Sequence, residues 1–370
     1  MAKARVLTAL GLMSGTSMDG IDAAIVRTDG ECLSSLGPWA GTAYDTIFRE
    51  RLRVALGRRP DPASVADRSL ADELTQRHAD AVRCLLVEAR LDAEEIDVVG
   101  FHGHTVFHDP RNRVTCQIGD GTALAAAIGI PVVCDFRAAD VASGGEGAPF
   151  APLFHRALAD SLEKPIAILN LGGVGNVTWI GGDGAIIAFD TGPGNAMIDD
   201  WARTSIGRPM DEDGRLARVG TVDQKALARL LEDPYFARPV PKSLDREHFD
   251  ASPVAGLSPA DGAATLTRFT AESVAFARDH FPAPPLRWLV TGGGRKNSHL
   301  MTAIRHAVGA PVDPVETVGW EGDAIEAQAF AYLAVRSVYG MALSLPTTTG
   351  VSAPMPGGVL HAAPGRNGIG

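Results

Sequence analysis

LGLMSGTSMDGIDAAIVRT, residues 10–28, sets two apolar runs around a polar tip. Val6, Leu7, Ala9, Leu10 and Leu12 read as one strand, and Ile21, Ala23, Ala24, Ile25 and Val26 as its antiparallel partner. Apolar runs joined by a glycine-containing loop are a hairpin signature. The tip, SGTSMDG, is longer and more polar than a minimal turn requires. Gly15 and Gly20 give the backbone access to positive φ and let it approach a ligand closely. Ser14, Thr16 and Ser17 add hydroxyls, and successive backbone N–H groups can converge on an anion. Such a tip suits a phosphate chain. Asp19 or Asp22 would then face Mg²⁺, which takes one or two carboxylates beside phosphate oxygens. A plain surface hairpin with small polar residues fits the same stretch equally well.

The 370 residues are enough for two domains. With 45% hydrophobic and 21% charged residues, the composition is that of a soluble globular protein with ample core. A net charge of −10 argues against a nucleic-acid or anionic-membrane partner, because no basic field exists to recruit a polyanion. It leaves room for a small anion held by local donors. Cys32, Cys84, Cys116 and Cys134 are far apart with no CxxC, which fits reduced thiols better than a disulfide frame or a zinc site. The opening MAKARVLTALGLMSG has too short an apolar run for a signal peptide and reads as a strand. No run approaches the roughly 18 apolar residues of a membrane span.

Residues 31–62 read as loop, and 64–91 as an amphipathic helix with Ser64 or Asp67 as cap. Strands are expected at 96–101, 114–118 and 131–134, with an alanine-rich helix at 122–128. The glycine-rich segment 137–148 reads as a domain boundary. The stretch 165–180, PIAILNLGGVGNVTWI, repeats the opening logic of strand, polar turn and strand. A strand at 186–189 ends at Asp190, and TGPGN leads into a helix at 196–204. Charged and proline-containing segments fill 205–258. Helices follow at 265–280, 298–308 and 323–339, with a strand at 288–290 and the turn TGGGRKN between. From residue 346 the chain reads as surface. Both halves thus carry a hairpin with a polar tip followed by αβ units, and a cleft between two such halves is a good place for a ligand. There is no P-loop and no strand-to-helix GxGxxG.

GLMSGTSMDGID at the start, QIGDG at 117–121, DFRAAD at 135–140, NLGGVGN at 170–176, DTGPGNAMIDDW at 190–201 and TGGGRKN at 291–297 together resemble the anhydro-N-acetylmuramic acid kinases. The matches run in one order over nearly the whole chain. The resemblance implies an α/β fold of the actin, Hsp70 and sugar-kinase superfamily. Two actin-like (ribonuclease H-like) αβ domains would close on an interdomain ATP/sugar cleft. Domain limits of 1–137 and 138–345, with a surface segment at 346–370, follow from the reading above. The implied reaction uses ATP and water to turn 1,6-anhydro-N-acetylmuramic acid into N-acetylmuramic acid 6-phosphate. It serves recycling of bacterial cell-wall sugar in the cytoplasm, and the enzyme is expected to be a homodimer. Three positions depart from the family pattern: Glu146 and His104 stand where Gln is usual, and Gly175 replaces an Ala.

The resemblance makes Asp190 the general base, taking a proton from water so that its oxygen attacks C1. O6, once released, would attack the γ-phosphate. Phosphoryl transfer itself asks mainly for positioning and charge neutralisation. The alternative is an Asp that caps the next helix. Gly15, Thr16, Ser17, Met18, Asp19, Gly20, Ile21 and Asp22 should hold the β- and γ-phosphates of ATP, with Asp19 or Asp22 near Mg²⁺. Gly172, Gly173 and Asn176 are a second phosphate candidate. Gly292, Gly293 and Gly294 should let backbone lie against the nucleotide. Asp135 and Arg137 could meet the sugar, since a guanidinium can bind the lactyl carboxylate bidentately. Asp120 and Glu326 are further substrate candidates. Asp120 could equally be structural, and Glu326 a solvated helix acid.

Two other function classes compete. His102 and His104 share a face if their strand continues, and with His108 and Asp120 or Asp135 they suggest a metal-dependent hydrolase. No third ligand is fixed by the sequence. A non-enzymatic, actin-like nucleotide-binding protein is the other reading, and it would have no use for the sugar-side motifs.

Overall fold

The computed structural model describes residues 4–15 and 18–366. Thr16 and Ser17, expected at the phosphate tip, lie outside the described residues. The chain divides into two compact units, Met1–Asp160 with Ala324–Gly370, and Ser161–Asp323.

In the first unit, β1 (Leu7–Met13) pairs antiparallel with β2 (Gly20–Thr28), and β2 with β3 (Leu33–Ala43). β1 also pairs parallel with β4 (Val98–Phe101). β5 (His104–Asp109) and β6 (Val114–Ile118) form a separate ribbon. β7 (Val132–Cys134) then adds parallel to β4. The second unit repeats the plan. β8 (Ile166–Leu171) pairs antiparallel with β9 (Val174–Ile180), and β9 with β10 (Ile186–Pro193). β11 (Trp288–Thr291) adds parallel to β8, and β12 (Val312–Pro314) to β11. Each sheet therefore has a hairpin-linked antiparallel trio followed by two parallel strands, which is the ribonuclease H-like order. The echo between the halves is this repeated topology.

The long helix Ile325–Val338 belongs to the first unit, where it lies on β1, β2 and β4. It comes close because Gly11 and Gly100, register partners on β1 and β4, carry no side chain there. The end of the chain also returns to this unit, as β13 (Val359–His361) pairs antiparallel with β7. The unit limits therefore fall at 160/161 and 323/324, not in the glycine-rich segment 137–148. What decides this is the sheet face that the late helix must cover.

Two elements hid from the sequence pattern. Residues 31–62 contain β3 and the helix Thr46–Ala55. β3 is an edge strand with a register shift around Gly37 and Pro38, and a proline is tolerated at an edge where no ladder donor is needed. The expected helix at 64–91 forms as Val65–Ala89, with the Ser64 hydroxyl accepting the Asp67 N–H at 3.3 Å.

Candidate active site

In the second unit, β8, β10, β11 and β12 run the same way, so their C-terminal ends share one edge of the sheet. At that edge Asp190, Asn176, Asn170 and Thr291 are successive register partners across four strands. Direct partners point to one face, so this is a polar row. Three glycine turns converge on it. The β8–β9 tip offers carbonyls: Gly194 N–H donates to Gly173 O at 2.9 Å, and Asn195 N–H donates to Gly172 O at 2.9 Å. Oriented by its hydrogen bonds, the Asn195 amide nitrogen donates to Leu171 O at 2.8 Å and to Gly172 O. These donors open the helix Ala196–Ile206, whose first N–H groups need outside partners.

Two glycines are required by close approach. A Cβ on Gly194 would lie 2.1 Å from Gly172 O, and one on Gly292, whose φ is 77°, would lie 2.3 Å from Asn170 Oδ1. The carboxyl edge of parallel strands is where open α/β sheets take ligands. Gly172, Gly173, Asn176, Gly292, Gly293 and Gly294 are thus gathered beside Asp190.

Asp190 sits at a bulge. Asp190 pairs with Asn176 and Gly192 with Gly175, leaving Thr191 as the extra residue. Bulges re-aim side chains and are frequent beside active sites. The Thr191 hydroxyl is buried against Gly175, where a Cβ would come within 2.7 Å of Oγ1. Asp190 is buried, and its Oδ2 accepts the Leu244 N–H at 2.8 Å. It is not the cap of the following helix. Sequence reasoning missed Asn170, Asn195 and the segment around Leu244. The first two were visible inside quoted motifs; the register places Asn170 in the row with Asp190, and hydrogen bonds tie Asn195 to the β8–β9 tip.

One helical turn beyond Asn195, burial pushes the Asp199 carboxyl up to about 6. Asp200 accepts from Arg246, at 3.1 and 3.2 Å to its two oxygens. The buried Arg295 holds the third glycine turn. It donates to Gly292 O at 3.0 Å, Glu316 at 2.8 Å and Asp323 at 2.9 Å.

In the first unit the hairpin tip is anchored from below. Met18 turns back with φ of 58°, and its N–H donates to Gly15 O at 3.0 Å. Ser14 is buried, with its hydroxyl 2.8 Å from Tyr44 OH and 3.0 Å from His104 Nδ1. Ser14 is therefore a strut of the tip, turned inward, whereas the sequence reading counted it among the ligand donors. Burial pushes the Tyr44 phenol well above its ordinary value and His104 down to about 4, so both are neutral near pH 7. The Asp19 side chain is exposed, 3.5 Å from Arg49, and Asp22 lies on β2 opposite Met13 and Gly41. Gly20 and Ile21 begin β2, with Ile21 buried.

The remaining candidates are also in the first unit. Asp120 caps the helix Gly121–Ile128 through Oδ1, which accepts the N–H groups of Thr122 at 2.8 Å and Ala123 at 3.0 Å. Asp135 follows β7 with φ of 57°, an uncommon conformation for a residue other than glycine. Arg137 donates to His102 Nε2 at 3.0 Å and to Gly147 O at 2.6 Å. Glu326 is half-buried in the first turn of the helix Ile325–Val338. Asp140, the last residue of DFRAAD, is a buried tie. It accepts from Gly147 N–H at 2.8 Å, Ser344 at 2.5 Å and Thr349 at 2.6 Å.

His102 and His108 are engaged by the fold at both ring nitrogens, and His104 at Nδ1. His102 donates from Nδ1 to Gly103 O at 2.9 Å and accepts from Arg137 at Nε2. His108 bridges Thr115 and the Glu146 carbonyl, each at 3.0 Å. Among the described residues no group of three or more His, Cys, Asp or Glu side chains is placed to hold a metal ion. Among the described residues the hydrolase reading finds no such donor set.

Two ribonuclease H-like sheets in one chain, each opening with an antiparallel hairpin, define an actin-like two-domain α/β protein. A solved structure supports the fold: the (R)-2-hydroxyglutaryl-CoA dehydratase component A of Acidaminococcus fermentans aligns over 89% of this chain and 98% of its own, with a TM-score of 0.50 at 11% identity. The family is narrower. Residues 7–363 match the family model for anhydro-N-acetylmuramic acid kinase, and this chain belongs to that family and is a kinase. A relative of that name from Rhodospirillum rubrum is 57% identical over 353 residues, covering 95% of this chain and 93% of that protein. One from Paramagnetospirillum magneticum is 55% identical, covering 96% and 99%. No helix among the described residues is long and apolar enough to cross a membrane.

Proposed function

We propose that this kinase converts ATP, water and 1,6-anhydro-N-acetylmuramic acid into ADP and N-acetylmuramic acid 6-phosphate, with Asp190 as the base. The observation that carries the reading is the buried Asp190 carboxylate on a strand bulge, among three glycine turns at the carboxyl edge of its sheet. Asp190 takes a proton from water, the water oxygen bonds to C1, and the C1–O6 bond breaks. O6 then accepts the phosphoryl group. The glycine turns let backbone lie against phosphate and nucleotide, and Arg137 supplies a guanidinium of the kind that pairs with a lactyl carboxylate.

Asp19 and Asp22 fit Mg²⁺ by donor chemistry, being carboxylates beside an anion-binding tip, with the Asp19 side chain open to solvent. Bound with ATP, the ion neutralises charge on the β- and γ-phosphates. The family resemblance further supports a homodimer and a cytoplasmic role in cell-wall recycling. The free state of all four cysteines fits a reducing compartment.

The test is mass spectrometry of the product made in ¹⁸O water from the anhydro sugar and ATP. Label at C1 together with phosphate at O6 is expected. Phosphorylation without label, or ring opening without phosphate, would overturn the coupled reaction.

A further inference from the structure

Asp190 lies on the edge strand β10, with β9 on one side only. Its other side is taken up by one loop, residues 235–244. The Asp190 N–H donates to Lys242 O at 3.0 Å. The Tyr235 hydroxyl donates to the Asp190 carbonyl at 2.5 Å. The Leu244 N–H donates to Oδ2 at 2.8 Å. The loop thus grips main-chain donor, main-chain acceptor and carboxylate of one residue.

The loop is itself closed by a lysine. Lys242 is only 3% exposed, and its Nζ donates to Tyr235 O at 3.1 Å and Phe236 O at 3.2 Å while lying 4.5 Å from the centre of the Tyr235 ring. Burying an ammonium is costly, and here the cost shows as an amine driven down to about 8, chiefly by burial. A packed methionine or leucine would fill this volume without that penalty. What the ammonium adds is a fixed distance between the two ends of the loop, at Tyr235 and at Lys242.

We propose that Tyr235 and Lys242 are positioning residues for the reaction: Lys242 ties the loop shut, and the shut loop, through Tyr235 and Leu244, fixes the direction of the Asp190 carboxylate. The inference rests on the reading of Asp190 as the base. Neither residue has to touch the substrate. A reaction in which one carboxylate must meet a single water at C1 is sensitive to small errors in aim, of the order of 10²-fold for about 1 Å.

The test compares Tyr235→Phe, Lys242→Met and Asp190→Asn in the full-length enzyme, with ATP and the anhydro sugar as substrates. Tyr235→Phe removes one hydroxyl from a site that otherwise keeps its shape. Its kcat should fall about tenfold while KM for both substrates stays within about twofold, with the protein still fully folded at the assay temperature despite the lost hydrogen bond. Lys242→Met should show the same split, and serves if Tyr235→Phe does not fold. A kcat within twofold of the parent in a folded variant overturns the proposal. So does a loss that matches the fraction of unfolded protein, or one carried wholly by KM. Asp190→Asn separates this failure from failure of the reading beneath it. If Asp190→Asn still turns over, the base is elsewhere. If it is dead while folded Tyr235→Phe is fully active, only the positioning role falls.

Discussion

Gly11 stands opposite Gly100 across β1 and β4, and both face the backbone of the helix Ile325–Val338. A Cβ on Gly11 would fall 1.8 Å from Ala327 O, and one on Gly100 would fall 2.1 Å from Phe330 O. These neighbours are helix backbone and cannot swing aside as a side chain can. Gly100→Ala must lift the helix from the sheet. It should cost about 3 kcal/mol or more, the upper end for overpacking. Thermal unfolding measures it, and a midpoint within about 2 °C of the parent would show that the helix yields cheaply.

Asp190→Asn keeps the size of the side chain and an acceptor oxygen for the Leu244 N–H, but removes the basic group. The fold and nucleotide binding should survive. Turnover should drop on the order of 10³-fold, within the usual range for loss of a general base. Circular dichroism, calorimetric titration with ATP and a coupled ADP assay read the three quantities. Near-normal turnover would remove Asp190 from the mechanism.

The motifs that carried the family were legible because their chemistry is local: a polar tip between apolar runs, a carboxylate closing an apolar run (its strand in fact continues to Pro193), a triple glycine after a strand. The candidacy of Asp190 was readable in this way, though not the bulge that it sits on. Tyr235, Lys242 and Leu244 were not, since they reach Asp190 from 45 to 54 residues along the chain. Their segment has no periodicity that announces a loop clamped on a strand edge. Asp120 and Ser14 show the converse. Each residue type suits a ligand, and only the structure shows one capping a helix and the other bracing a tip. The late helix was visible as a helix, but its place on the first sheet depends on two glycines 89 residues apart meeting in register.

Four histidines of the first unit should make its stability fall with acid. His78 and His104 are held at about 4 and His155 at about 3, with His102 also well below its usual value, in each case chiefly by burial. The unfolded chain binds these protons near pH 6.5. Between about pH 6.5 and 4 it therefore holds more protons than the folded form, and stability drops as pH falls through that window. Nε2 of His78 and of His104 has no partner within the described fold, so a charged ring there would bury an N–H without an acceptor. Urea midpoints measured from pH 7.5 to 4.5 should decline steadily. His155→Leu, which removes one of these buried groups, should flatten the slope. An equal slope in that variant would count against the assignment.

Asp199 should show the opposite sign. Burial, ahead of repulsion from Asp200, raises its carboxyl to about 6, while a hydrogen bond from Asn195, then Arg203 and Arg246, act to lower it. The folded form thus holds this proton more tightly than the unfolded chain, whose carboxyl titrates near 3.9. Its contribution is favourable below pH 3.9 and is lost as pH rises through 6. Geometry agrees. Once the Asn195 nitrogen is committed to Leu171 O and Gly172 O, its oxygen is the atom 3.3 Å from Asp199 Oδ2, and a protonated Asp199 can donate to it. An amide at 199 would supply that donor at every pH. Asp199→Asn should therefore raise the thermal midpoint at pH 7.5, with the gain shrinking toward zero near pH 4. Because the side chain is only half-buried, solvent screening limits the gain to a few degrees at most. A lower midpoint at pH 7.5 would mean that attraction to Arg203 and Arg246 outweighs burial, and the proton between Asn195 and Asp199 would have to be given up.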